Sequence, residues 1–200
     1  MRHRVPSIIC LLTVVALWPV PVATADTGVD KPAAPKQIDQ TPPLIPIPGA
    51  RVTKTGLLVG GQPTPEQLKA IHRAGYRTVI SLRAVDERGA AGEREAVERL
   101  GMTFVSIPVR GAAGFTEDNA RKLGEVLDKP DALPAVVHCA TGQRASAMLG
   151  LEAFVVDRVS AAAAIELAKS LGMKTHEAAL RKRIAEICRA DESRHCEDVR

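Results

Sequence analysis

Aromatic residues are scarce in this chain, which has one Trp, one Tyr and three Phe among 200 residues. That is too few to form a platform on which the bases of single-stranded nucleic acid stack. Cysteine is also scarce, with four residues, which excludes a small fold held mainly by disulfides. A hydrophobic content of 46% excludes low-complexity disorder, and the length is typical of one domain. The interior must therefore be built from Val, Leu, Ile and Ala.

The first 25 residues have the features of a secretory signal peptide. Arg2 and Arg4 precede an apolar run over residues 8–22, and the small residues Ala-Thr-Ala follow at 23–25 as a cleavage site. The run is short for a bilayer span and contains two prolines. We therefore predict a periplasmic or secreted protein with no stable membrane insertion after cleavage.

The formal net charge of +4 does not indicate a nucleic-acid partner. Two of the 27 Lys and Arg residues lie in the predicted signal segment, which leaves the rest of the chain close to neutral against its 23 Asp and Glu residues. The remaining basic residues form no stripe along the sequence. We predict no nucleic-acid partner, and the sequence does not determine an oligomeric state.

Composition divides the remaining chain into three parts. Residues 26–50 are rich in Pro and have no periodic apolar pattern, which is typical of a disordered tether. Residues 51–190 carry the periodic patterns of one catalytic domain, and residues 191–200 form a C-terminal tail. In the domain, Thr64-Pro-Glu-Gln67 combines an N-cap, a Pro at the first helical position and a capping-box Gln, so it predicts the start of a helix.

Strands and helices then alternate at a regular spacing. This alternation predicts an α/β fold with a mainly parallel sheet flanked by helices. Beyond residue 145 no strand pattern remains, so the C-terminal portion is predicted to be helical. The predicted strands cover 78–82, 103–109 and 135–138, and the predicted helices cover 93–100, 117–127, 145–156, 160–171 and 177–189.

The segment with the clearest chemistry follows the last predicted strand. Cys139 comes directly after His138, a short turn containing Gly142 follows, and a helix opens near Arg144. Backbone N–H groups of such a turn converge at a helix N-terminus and bind an anion, and an Arg adds a planar fork for two oxygens. We expect this field to lower the pKa of the cysteine from its usual value of about 8.5 and to make it a nucleophile. The predicted anion-binding residues are Ala140, Thr141, Gly142, Gln143 and Arg144, with Cys139 and Arg144 as the catalytic pair.

This loop resembles the active loop of the cysteine-dependent protein tyrosine and dual-specificity phosphatases. More specifically, the chain resembles the bacterial beta-lactamase hydrolase-like phosphatase family. The likeness rests on the loop, on Gly61-Gln62-Pro63, on the segment from Gly75 to Arg83 with Glu87 after it, and on Ile107-Pro108-Val109. It implies a phosphatase-like fold.

The sequence departs from the phosphatase pattern at two points that affect the chemistry. Four residues, not five, separate Cys139 from Arg144, as in the loop of rhodaneses, whose cysteine carries a persulfide. Phosphatases of this superfamily often have an Asp general acid just beyond an Ile-Pro-Val stretch, where this chain has Arg110. Loss of such an acid costs roughly 10²- to 10⁴-fold in rate. Asp118, or Glu117 beside it, is a candidate replacement, but both residues also suit the first turn of a helix.

Three further residues are candidates for supporting roles. Arg83 lies at the end of a predicted strand, where a salt bridge to Glu87 would shape the loop. Gln62 fits either an oxyanion donor or a residue at the entrance to a helix, and His138 is expected to position the cysteine by hydrogen bonding rather than to act as a base.

Three cysteines remain outside the signal segment. Cys188 and Cys196, eight residues apart, are predicted to form a disulfide in an oxidising compartment, with exchange between one of them and Cys139 as the alternative. His176, His195 and Cys196 do not have the spacing of a metal site, so we predict no metal and no cofactor.

Three functions remain open at this point. The first is a phosphatase that forms a phosphocysteine at Cys139. The second is a sulfurtransferase that carries a persulfide on Cys139, and the third is a non-catalytic anion-binding module. The expected partner is a phosphorylated or sulfane-sulfur compound, either a small molecule or a protein.

Overall fold

The computed structural model describes residues 42–191, 193, 194 and 196. The predicted signal segment and the tether up to residue 41 lie outside the described residues. The strands of the described part are β1 (Arg51–Val52), β2 (Leu57–Gly60), β3 (Thr78–Ser81), β4 (Thr103–Ser106) and β5 (Ala135–His138). Its α-helices are α1 (Pro65–Arg73), α2 (Glu93–Arg99), α3 (Glu117–Leu127), α4 (Gln143–Val155), α5 (Ala161–Ser170) and α6 (Glu177–Ala190).

The strands form one sheet in the order β1-β2-β5-β3-β4. β1 runs antiparallel to β2, and the other neighbours are parallel, which confirms the predicted α/β fold with a mainly parallel sheet. β5 lies in the centre, so its carboxyl end opens between those of β2 and β3. This is the edge at which parallel sheets of α/β proteins bind ligands.

Side chains that alternate along the central strands fill two cores, one on each face of the sheet. Val59, Ile80 and Val137 face a core shared with α3, α4, α5 and α6. Their neighbours Leu58, Val79 and Val136 face the opposite core, where α1 and α2 pack. Every residue of these six is fully buried, as expected for parallel strands covered on both faces.

Helix α4 crosses the larger core directly behind β5. All its residues from Ala145 to Val155 are buried, and it packs against α3 and α5. A helix that is apolar all round belongs in the interior of a domain. Gly150 allows close contact with α5, since a Cβ added there would lie 2.6 Å from the carbonyl oxygen of Ala164. The N-terminus of α4 is therefore fixed relative to the sheet.

Local sequence signals place the elements near their predicted positions. The capping box at Thr64 and Gln67 is present and starts α1. β4 ends at Ser106, earlier than the predicted end at residue 109, although the N–H groups of Ile107 and Val109 still donate to carbonyls of Ser81 and Leu82. Within the described part of the chain, no helix has both the length and the apolar character that crossing a membrane requires.

Residues 42–50 correct the prediction of a disordered tether that ends at residue 50. Ile45 and Ile47 are buried in the core beside α1, and the side chain of Gln67 donates to the carbonyl oxygen of Pro46 at 2.7 Å. The hydroxyl of Tyr76 also donates to the carbonyl oxygen of Pro43 at 3.2 Å. The N–H of Ile47 donates to the carbonyl oxygen of Ile45 at 2.8 Å, which closes a tight turn, and both isoleucines pack in the same core. The surrounding prolines hide this pattern in the sequence.

Candidate active site

The turn between β5 and α4 holds Cys139 at the start of a helix. Gly142 is the N-cap of α4 and has a φ of +88°, in the left-handed region that favours glycine. No side chain caps this terminus, and the first N–H groups of a helix have no partner within the helix. The N–H of Gly142 donates to Sγ of Cys139 at 3.2 Å. The sulfur thus lies at the positive end of the α4 dipole.

The segment after β2 supports this turn from the side. Gly61 pairs with Thr141 in an isolated antiparallel bridge, and the N–H of Gln62 donates to the carbonyl oxygen of Ala140 at 3.3 Å. A Cβ added to Gly61 would lie 2.9 Å from that same oxygen, so only glycine fits without a shift of the backbone. The Gly61-Gln62-Pro63 stretch therefore holds the turn in place.

Arg144 is fixed by an ion pair along one edge of its guanidinium, and it also contacts the side chain of Cys139. Its Nη1 donates to Oε1 of Glu87 and to the carbonyl oxygen of Val109, and its Nη2 donates to Oε2 of Glu87, each at 2.7 Å. A guanidinium has five N–H donors. These bonds leave the Nε–H and one Nη2–H, which point the same way and match two oxygens of an anion.

The charges of this pair are strongly stabilised. Hydrogen bonds from Arg144 lower the pKa of Glu87 to about 2, with smaller contributions from the N–H of Ala84 and from Arg83. The same contact, together with the nearby Cys139, raises the pKa of Arg144 above its usual value. The guanidinium is therefore charged at every physiological pH and has a fixed orientation beside the sulfur.

A chain of polar side chains lies behind the loop. Nη1 of Arg83 donates to Oε1 of Gln62 at 2.7 Å, and Nε2 of Gln62 donates to Oε1 of Glu93 at 2.6 Å. Arg83 also approaches Glu87 at 3.4 Å, as the sequence suggests. Nε2 of the fully buried His138 lies 2.9 Å from Oε1 of Glu93, off the line of a hydrogen bond. The chain ties the ends of β2, β3 and β5 to the start of α2.

The side chains of Gln62 and His138 contact groups behind and beside the loop. Gln62 is not an oxyanion donor in this structure, because its NH₂ group donates to Glu93 and to the carbonyl oxygen of Pro63. His138 does not contact the sulfur through its ring. Its Nδ1 lies 3.4 Å from the carbonyl oxygen of Cys139, so it supports the backbone of the turn rather than the thiol.

The acidic residues near the β4–α3 connection have other partners. Asp118 lies in the first turn of α3, largely exposed, and forms an ion pair with Lys122 at 2.7 Å. Glu117 pairs with Arg121 in the same way. Of the two roles that the sequence leaves open for Asp118, the structure shows the helical one. Arg110 pairs with the exposed Asp86, whose pKa that contact lowers.

His176 is a neighbour of the loop that the sequence does not reveal. Oε1 of Gln143 accepts from the N–H groups of Lys174 and Thr175, and Nε2 of Gln143 donates to the carbonyl oxygen of Gly172. Gln143 thereby holds the α5–α6 connection against the loop. His176 ends that connection, and no spacing rule in the sequence links it to a turn more than thirty residues earlier.

The cysteines are divided between the site and the tail. Cys139 is a free thiol with 1% of its surface exposed, whereas Cys188 and Cys196 form a disulfide. Exchange between Cys139 and one of the others is therefore not the arrangement seen here. Among the described residues, no group of three or more His, Cys, Asp or Glu side chains is arranged to hold a metal ion.

Comparison with known families identifies the family to which the chain belongs. Residues 50–186 match the family described as a DSP-PTPase phosphatase fused to NAD+ kinase, and this range includes the sheet, the loop and most of α6. The chain belongs to this phosphatase family.

Individual relatives agree with that assignment. A beta-lactamase hydrolase-like protein from Xylella fastidiosa is 28% identical over 107 residues, which are 52% of this chain. The matched region is only 24% of that relative, so the chain spans about a quarter of the curated proteins it resembles.

Solved structures show the same fold at low sequence identity. The DUF442 protein from Shewanella putrefaciens CN-32 has a TM-score of 0.58 and 21% identity, covering 74% of this chain and 92% of its own. The core catalytic domain of the PP-IP phosphatase SIW14 from S. cerevisiae has a TM-score of 0.54 and 15% identity, covering 76% and 95%. TpbA from P. aeruginosa has a TM-score of 0.52 and 16% identity, covering 70% and 84%.

Proposed function

We propose that the protein is a cysteine-dependent phosphatase that hydrolyses a phosphoester through a phosphocysteine at Cys139. One observation carries the proposal. The sulfur lies at the uncapped N-terminus of α4, in contact with a guanidinium whose Nε–Nη2 edge is used by neither Glu87 nor Val109. Membership of a phosphatase family is consistent with this use of the site.

The first half of the reaction transfers the phosphoryl group to sulfur. The free edge of Arg144 and the N–H groups at the start of α4 bind the oxygens of the substrate phosphate. Cys139, as a thiolate, attacks phosphorus, the new S–P bond forms, and the P–O bond to the leaving group breaks. Glu87 keeps the guanidinium in one orientation throughout, so little reorganisation is needed when charge develops on the phosphoryl oxygens.

The second half of the reaction frees the enzyme. Water attacks phosphorus, the S–P bond breaks, inorganic phosphate leaves, and Cys139 returns to the thiolate. The scarcity of aromatic residues favours a substrate recognised mainly through its anion. We place the reaction outside the cytoplasm, since the predicted signal segment and the Cys188–Cys196 disulfide are both typical of an oxidising compartment.

Sulfur transfer is the second candidate, and a specific feature favours it. Only four residues separate Cys139 from Arg144, and the carboxylates around the loop are engaged by basic side chains rather than free to protonate a leaving group. Thiosulfate is a tetrahedral dianion like phosphate. When the Cys139 thiolate attacks its outer sulfur, the persulfide S–S bond forms, the bond to the sulfite group breaks, and sulfite leaves without needing a proton from a general acid. The same anion site therefore serves either reaction.

An assay of both reactions on one preparation separates the candidates. Wild-type protein and the Cys139→Ser variant are given an aryl phosphate, or thiosulfate with cyanide as acceptor, and the intact mass of each is then recorded. Phosphate release that requires Cys139, with a phosphoryl adduct on trapping, supports the phosphatase. If the wild-type protein gains the mass of one sulfur and releases no phosphate, the sulfurtransferase replaces the phosphatase as the proposed function. Turnover that survives Cys139→Ser contradicts both, and no turnover at all leaves the anion-binding module.

A further inference from the structure

His176 lies where the active loop, the β4–α3 connection and the start of α6 meet. It is the N-cap residue of α6, but its side chain makes no capping hydrogen bond. Its half-buried imidazole contacts the ring of Phe115 edge to face, with the ring centres 5.4 Å apart. Phe115 belongs to the same connection as Val109, which accepts a hydrogen bond from Arg144.

Two observations place His176 near the active loop. Gln143, a residue of the active loop, binds the backbone on either side of Lys174 and so holds the α5–α6 connection. The imidazole is also close enough to Arg144 that the guanidinium charge lowers its pKa, although burial contributes more to that shift. His176 therefore lies close to the anion site, and burial and the charge of Arg144 both lower its pKa.

Other charged groups near His176 are already paired. Glu177, the next residue along α6, forms an ion pair with Arg181 at 2.8 Å. From α4 the facing charge is Arg144, and from the β4–α3 connection the facing group is the uncharged ring of Phe115. Lys174, in the α5–α6 connection, lines a cavity of about 110 Å³ with Arg51 and with the loop residues Thr141, Gly142 and Gln143.

We propose that His176 is the proton donor to the leaving oxygen and the proton acceptor from the attacking water. This inference rests on the phosphatase function proposed above. It fills the role for which the sequence offers Asp118, whose carboxylate is paired with Lys122 on α3.

Binding of the substrate dianion prepares the imidazole for this role. The dianion offsets the charge of Arg144 and adds its own negative charge, so the pKa of His176 rises and the imidazole takes up a proton. When Sγ of Cys139 attacks phosphorus, the imidazolium gives that proton to the bridging oxygen as the P–O bond breaks, and a neutral alcohol leaves. The neutral imidazole then accepts a proton from water as the S–P bond breaks. One water is consumed per phosphoester.

Two substrates with different leaving groups test the proposal. The His176→Phe variant keeps an aromatic ring against Phe115 but cannot transfer a proton. We expect kcat/KM for phenyl phosphate, a poor leaving group, to fall by about 10²- to 10³-fold, and kcat/KM for 2,4-dinitrophenyl phosphate to change by less than about threefold. The matched control is His72→Asn, on an exposed position of α1, for which neither value should change.

Sulfate binding gives a readout that does not depend on turnover. Sulfate stays a dianion at neutral pH, so calorimetry in two buffers of different ionisation enthalpy measures the protons that the protein takes up. Wild type and His72→Asn should take up more protons at pH 7.5 than His176→Phe does. Equal uptake by all three proteins, or equal losses of His176→Phe on both phosphate esters, would overturn the assignment of His176. Wild-type protein that releases phosphate from neither ester would overturn the phosphatase function itself.

Discussion

The two termini of helix α4 differ in whether side chains bind their backbone groups. At the N-terminal end no side chain caps the helix, and Arg144 is balanced by Glu87 so that one edge remains for a ligand. At the C-terminal end Arg194 donates to the carbonyl oxygens of Phe154 and Val155, which closes that terminus. The helix is thus open where a ligand is expected and closed at the far end.

The pKa values of two carboxylates near these ends are shifted in opposite directions, which burial alone does not explain. Hydrogen bonds from Arg144 lower the pKa of Glu87 to about 2, whereas burial, with the charges of Asp157 and Asp128, raises the pKa of Glu152 to about 8. Both carboxylates are removed from bulk water to some degree. Burial is the largest cause of the raised pKa of Glu152, and the like charges add to it. For Glu87 the guanidinium stabilises the charged form and outweighs the opposing effect of burial.

The largest effect is expected from replacing Arg144 at the open end. Arg144→Lys keeps the charge but loses the planar fork and one of the two bonds to Glu87. We expect kcat/KM for an aryl phosphate to fall by about 10³-fold, the upper range for loss of a transition-state donor. Steady-state kinetics checks this, with Arg121→Lys, an exposed arginine on α3, as the control. A fall of less than tenfold would mean that the free edge of Arg144 does not bind the phosphoryl group.

Replacing Glu152 tests the closed end. Because its folded pKa lies above its unfolded value of 4.5, the stability that the protonated carboxyl provides is present below pH 4.5 and is lost as pH rises to about 8. The loss is on the order of 4 kcal/mol. Glu152→Gln keeps the shape without the charge, so its Tm advantage over wild type should grow from pH 5 to pH 8.

The control for that comparison is Glu125→Gln, on an exposed position of neighbouring α3. Its Tm should follow wild type at both pH values. A Tm difference between Glu152→Gln and wild type that does not vary with pH would contradict the burial argument.

The effect of replacing Glu87 on the free energy of unfolding should depend on pH in the opposite direction to that of Glu152. Its folded pKa is lowered, so its contribution to stability is present above pH 4.5 and is lost as pH falls toward about 2. Glu87→Gln leaves the guanidinium of Arg144 with a neutral partner, and we expect the free energy of unfolding at pH 7 to fall by about 2 kcal/mol. Urea unfolding of the variant and of wild type should converge as pH approaches 2.5. For Glu98→Gln, an exposed residue paired with Arg94, the two curves should coincide throughout.

The sequence predicts this fold well because its signals are local. The capping box at Thr64, the alternating apolar residues and the turn at Gly142 each depend on residues that are neighbours in the chain. The loop from Cys139 to Arg144 can be recognised for the same reason.

What the sequence does not reveal depends on contacts between distant segments. Gln62 has its amide between Arg83 and Glu93, which no spacing predicts, and His176 reaches the site only because Gln143 holds the α5–α6 connection. Ile45 and Ile47 are hidden among prolines, although they pack in the core. Sequence reasoning therefore locates the loop that holds Cys139 but not the side chains that surround it.

The smallest effect is expected from the disulfide near the closed end. Cys188 and Cys196 close a short loop, and Arg194 within that loop holds the end of α4. Replacing both cysteines by serine should lower the free energy of unfolding by about 1–2 kcal/mol, at the low end for disulfides because the loop is short. Since α4 is packed along its whole length, the open end should not respond, and kcat/KM should stay within about twofold of wild type. A fall in kcat/KM as large as that of Arg144→Lys would show that the two ends of α4 are coupled.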